Sequence, residues 1–146
     1  MFTKSAVASL FAGVLFAASA NATVINFDTD AAGARANGFS SVTEAGVHFS
    51  DSMGQDLQLN NFGNQGHNNA LGVFSDDQSQ LVINFDFMVN ALSLAFGNDD
   101  AGWTSNGDRG LLTRFNGATQ VGQSSVVLKR NDIMDQTVGF TGADFN

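Results

Sequence analysis

The polar stretch of this 146-residue chain with most to offer a ligand is Gly97–Gly110 (GNDDAGWTSNGDRG), with Asn98, Asp99, Asp100, Asn106 and Asp108 beside the only tryptophan, Trp103. Calcium takes about six to eight oxygen ligands from carboxylates, amides and backbone carbonyls, which a flexible glycine-rich loop can supply. The candidate metal set is Asn98, Asp99 and Asp100, with Asp28 from an earlier segment. The spacing is not that of an EF-hand, because the acidic ladder is incomplete and no glutamate closes it. Asparagine, aspartate and glycine are also turn formers, so the same stretch reads as a plain connection. Trp103 has two readings as well. Its indole face can stack on a sugar ring while Asp99, Asp108 or Arg109 bonds the hydroxyls, or it can fold back over the end of the domain. Trp103, Asp108 and Arg109 are therefore the candidate ligand-binding residues.

Catalytic chemistry finds less material. Glu44 is the only glutamate, so a hydrolytic acid–base pair would have to come from aspartates. In the adjacent pairs Asp76-Asp77 and Asp99-Asp100, neighbours on a strand point to opposite faces. There is no cysteine nucleophile, and a Ser-His-Asp arrangement would need His48 or His67, neither of which adjoins a Gly-x-Ser-x-Gly turn. Two distant histidines do not make a zinc site, which takes three or four ligands. The expectation is a protein that is not an enzyme, with no catalytic residues.

The elements that position these residues repeat with a period of two. Leu81, Ile83, Phe85 and Phe87 fall on one face and Asn84 and Asp86 on the other, and Leu92, Leu94 and Phe96 continue the pattern. Met88-Val89-Asn90-Ala91 between them is short enough for a tight connection or a bulged crossing. Weaker runs occur at Val24–Phe27, Gly46–Phe49, Leu57–Leu59, Leu71–Phe74, Leu111–Phe115, Val126–Leu128 and Val138–Phe140, and Asn60–Asn69 reads as a loop. Short strands without intervening helices predict an all-β fold, an antiparallel β-sandwich of jelly-roll type. Eleven of the 14 phenylalanines lie beyond residue 22 and suit such a core.

The amino terminus reads as a secretory signal peptide with its helix. Lys4 is its only charged side chain, Ala6–Ala18 is an apolar run too short to span a bilayer, and Ala20-Asn21-Ala22 is a small-x-small cleavage site. The expected domains are residues 1–22 as signal peptide and 23–146 as the β-sandwich. Cleavage removes Lys4 and no acidic residue, leaving the remainder one unit more negative than the chain's −8. So acidic a surface argues against nucleic acid as partner. Beyond the leader no apolar stretch predicts a membrane span, and a cysteine-free domain is compatible with a location outside the cytoplasm.

Several stretches together resemble the secreted bacterial proteins that carry a PEP-CTERM sorting signal. They are Ile25-Asn26-Phe27-Asp28, Gly46-Val47-His48-Phe49 after Asn37-Gly38-Phe39, Leu81–Phe87 leading to Leu92–Phe96 with Gly97-Asn98-Asp99-Asp100, and Leu111–Phe115 followed by Val121-Gly122. The resemblance implies a protein sorted to the Gram-negative envelope or secreted, associated with extracellular polysaccharide. The Pro-Glu-Pro element that defines the family has no counterpart here, since the chain contains no proline. Thr141–Asn146 reads as a turn entering another strand, so a fragment lacking its last strands is expected.

Overall fold

A computed structural model describes residues 23–66, 68–73, 79–97, 102 and 105–146. Nine strands occur among them: β1 (Gly33–Arg35), β2 (Val47–Asp51), β3 (Leu57–Asn61), β4 (Asn69–Val73), β5 (Leu81–Phe85), β6 (Val89–Phe96), β7 (Arg109–Asn116), β8 (Thr119–Val127) and β9 (Gln136–Phe145). The described part is all-β, without a helix. Every strand pair is antiparallel, in the groups β1-β3-β4, β2-β5, β6-β9 and β7-β8. This arrangement is consistent with a β-sandwich. The leader expected at residues 1–22 lies outside the described residues.

Alternation sets the first core. Val47 and Phe49 of β2 point inward with Leu57 and Leu59 of β3, and both leucines are fully buried. Burying a leucine contributes about 1.5–3 kcal/mol. Phe27, Phe39, Ile83 and Phe85 pack against the cluster of Val47, Phe49 and Leu57, and the Phe27 ring meets Phe49 edge-on at 5.3 Å.

Two local expectations change. Val24–Phe27 alternates like a strand, yet the chain turns there: Phe27 has φ 60° and its carbonyl accepts the Asp30 N–H at 3.0 Å. A bulky residue with positive φ is costly, and tertiary contacts hold it. The Asn69 amide donates to the carbonyls of Phe27 and Asp30, each at 3.1 Å, while Phe49 fixes the ring. Thr141–Phe145, in turn, does not form a turn but continues β9. Gly142, at φ 139°, bends the strand so that Phe145 is buried against Phe85 and Phe140, with ring centroids 5.6 and 4.5 Å away.

Of the expected Met88–Ala91 connection only Met88 lies outside a strand: Val89–Ala91 already belong to β6, and residues 86–88 carry the chain from β5 to it. β5 pairs with β2 while β6 pairs with β9, and the β6–β9 ladder slips between Val89 and Ala91. β9 also lies against both strands of the β7–β8 hairpin.

Buried polar groups act as staples. The Asp30 carboxylate accepts the Ser41 hydroxyl at 2.6 Å and the Val42 N–H at 3.0 Å. Gln136 donates to the Val127 carbonyl at 2.7 Å and accepts the Lys129 N–H at 2.6 Å, tying the end of β8 to the start of β9.

Candidate functional site

The residues singled out for the acidic loop divide into two groups. Asn98, Asp99, Asp100 and Trp103 lie outside the described residues, as does His67. Asp28, Asp108 and Arg109 are described and exposed. Asp108 closes its own turn, its carboxylate accepting the Ser105 N–H at 2.7 Å. That is the turn-forming use of aspartate.

Arg109 opens β7, and its Nε and one terminal nitrogen both donate to Ser125 Oγ of β8, at 3.0 and 2.8 Å. The guanidinium is thereby held against the exposed β7–β8 hairpin. Asp28 belongs to the turn after Val24–Phe27, where its N–H lies 3.3 Å from the Asn26 side-chain oxygen. Among the described residues no group of three or more histidine, aspartate or glutamate side chains is placed to hold a metal ion.

A second polar constellation follows from strand register. The Phe39–Phe49 bridge sets Ser40 opposite His48, and the β2–β5 ladder pairs His48 with Asn84, leaving Asp86 diagonal to the imidazole. Ser40 Oγ lies 2.9 Å from His48 Nδ1, and Asp86 Oδ2 lies 3.1 Å from His48 Nε2. With the proton on Nε2, the ring donates to the carboxylate and accepts the serine hydroxyl through Nδ1. The order serine, imidazole, carboxylate is that of a hydrolase triad, with the two ring nitrogens exchanged. His48 sits on the face of β2 opposite Val47 and Phe49. Period-two alternation puts it there, but Ser40 and Asp86 are brought to it only by pairing across 8 and 38 residues.

Asp51 occupies an inward position of β2 and is 4 % exposed. The Ser79 hydroxyl, donating at 2.7 Å, holds its carboxyl below the usual value, against the opposing cost of burial. The N–H groups of Met53, Gln55 and Gly54 add to the lowering. In this position it fastens the β2–β3 turn to the segment preceding β5.

Comparison with protein-family models, with curated proteins and with solved structures finds no match to this chain.

Proposed function

We propose that this chain is a non-catalytic, exported β-sandwich of jelly-roll type that works in the Gram-negative envelope or outside the cell, in contact with extracellular polysaccharide. The observation that carries the reading is Arg109. An exposed guanidinium, oriented by two hydrogen bonds to Ser125, stands at the edge of the loop that contains Trp103 and Asp108. A fixed set of donors is one of the few placed polar groups by which a site orients sugar hydroxyls. The leader-like residues 1–22 and the PEP-CTERM resemblance support the compartment.

The test is retention of the full chain on a glycan array and on isolated bacterial exopolysaccharide. Binding is expected to be weak and to be lost in Trp103→Ala and Arg109→Ala. Retention by neither surface sinks the proposal. Repeating the assay with a chelator and with added calcium tests whether Asp28, Asn98, Asp99 and Asp100 bind that ion.

A second reading, a secreted hydrolase, is favoured by one observation, the Ser40–His48–Asp86 chain of hydrogen bonds. It requires that an activated-serine probe labels Ser40 and that Ser40→Ala removes the labelling. An unlabelled native protein eliminates it.

A further inference from the structure

The β7 alternation places Gly110, Leu112 and Arg114 in one row, so an arginine stands where the pattern calls for an apolar residue. Its surroundings are shaped to receive it. Directly across the β7–β8 ladder is Gly122, and any β-carbon there would collide with the guanidinium of Arg114. On the other side the guanidinium carbon lies 3.9 Å from the centre of the Phe140 ring of β9. The planar group is thus flanked by a glycine on one strand and an aromatic face on the next. Arg114 Nε is buried and has no hydrogen-bond partner among the described residues. A buried donor left unpaired is unfavourable, and a charged one more so; Nε itself is closed to an incoming group, so the cost is electrostatic and an anion brought against the guanidinium lowers it.

Arg114 opens onto a cleft of about 600 Å³ between β5, β6, β7 and β9. Its walls include Ile83, Leu92, Leu94, Phe96, Leu112 and Phe140, and Arg114 is the only charged side chain among the described residues that line it. An adjoining cleft of about 860 Å³ shares Leu81, Ile83, Leu94 and Phe96 with it and has no charged side chain in its described lining. The size is that of a small-molecule site, and the balance of apolar wall to a single fixed cation defines the ligand class.

We infer that this cleft binds an amphipathic anion, a carboxylate with an unbranched apolar tail. The carboxylate pairs with the Arg114 guanidinium, whose fork of donors matches two oxygens. The tail lies along Leu92, Leu94 and Phe96 toward the second cleft. Ser79, Gln80, Asn84, Thr113 and Asn146 also line the cleft, but along Leu92, Leu94 and Phe96 the hydroxyls of a simple sugar acid would meet hydrocarbon, which disfavours it. Nor does overall charge draw anions in, since the chain carries −8, so selectivity rests on Arg114 alone.

Calorimetric titration of the full chain with octanoate, decanoate, decanol and glucuronate, all below micelle-forming concentrations, tests the inference. Decanoate is expected to bind at least tenfold more tightly than decanol. It is also expected to bind about fifteenfold more tightly than octanoate, at roughly fourfold per methylene. Arg114→Met, which keeps the contact with Phe140 but not the charge, should bring decanoate down to the level of decanol, and Arg114→Lys should recover part of the difference. Equal affinity for decanoate and decanol, unchanged decanoate binding in Arg114→Met, or tighter binding of glucuronate each overturns the inference. If Arg114→Met does not fold, the ratio of decanoate to decanol on the native chain decides by itself.

Discussion

In β2 and β3 the inward residues Val47, Phe49, Leu57 and Leu59 are at most 5 % exposed, whereas Leu92 and Leu94 of β6 and Leu112 of β7 are only half-buried and line an open cleft. The two regions share one alternation but use it differently. In the first, rings and aliphatic chains close on one another: Phe27, Phe39 and Phe49 meet tilted or edge-on, with ring centroids 5.3–6.4 Å apart. In the second, β9 contributes Val138 and Phe145 to the interior, but an arginine takes a place on the apolar face beside Phe140. The first region has the packing of a scaffold and the second the packing of a binding site.

The largest effect should separate the regions directly. Leu57→Ala removes a fully buried side chain from a closed core and is expected to cost about 2–5 kcal/mol. Leu92→Ala, on the cleft wall, should cost about 1 kcal/mol, because the cavity it enlarges is already there. Denaturant midpoints of the two variants measure this. Equal losses would mean that the cleft is as well packed as the core, and the contrast would fail.

Polar staples should behave alike in both regions. Asp30→Ala leaves the Ser41 hydroxyl, in a residue 2 % exposed, with Thr43 alone as partner and strands the Val42 N–H, and Gln136→Ala strands the Lys129 N–H and the Val127 carbonyl. Each is expected to cost about 1–3 kcal/mol by chemical denaturation. A much smaller loss for Gln136→Ala alone would show that the β8–β9 junction relaxes where the Asp30 turn cannot.

Local pattern made the strands legible, and long-range pairing decided the rest. The runs at Leu57, Leu81 and Leu92 announce β3, β5 and β6 because one face of each is apolar. β1 has no such pattern in Gly33-Ala34-Arg35 and exists because it pairs with Leu57–Leu59 of β3. Val24–Phe27 has the pattern without the strand, since packing of the Phe27 ring and the Asn69 hydrogen bonds favour a turn. The site was less legible. Asp108 and Arg109 stand out by type, but Ser40 and Asp86 look ordinary until register sets them beside His48. Arg114 carried one local sign, a charge two residues after Leu112 in an alternating strand.

Acid should weaken both regions, but to different extents. The Asp51 carboxyl lies below the usual value of 3.8 because Ser79 bonds it, and Asp135 lies below it because Lys129 and then Asn131 bond it. A depressed folded-state value means that the stabilisation is fully present above the unfolded value and disappears as pH falls through the folded one. Denaturant midpoints should therefore hold from pH 7 to about 5 and decline below about 4. Asp51→Asn is expected to flatten that decline visibly, because Asp51 is enclosed, and Asp135→Asn hardly at all, because its partner is exposed to solvent. The reverse order would place the acid-sensitive anchor in the β8–β9 region.

The smallest effects concern the two surface pairs, one in each region. Lys129 Nζ lies 2.9 Å from Asp135, and His48 Nε2 3.1 Å from Asp86, with Asp86 two-thirds exposed. Water and salt screen such pairs, so Lys129→Ala and Asp86→Ala should each leave the melting temperature within about a degree of the native value. This near-silence is useful for Asp86. If the Ser40–His48–Asp86 chain is only a polar bridge over the closed core, Asp86→Ala alters nothing further that can be measured. If it activates Ser40, the same variant keeps its melting temperature but loses labelling by the serine probe, and the scaffold region then has a chemistry of its own.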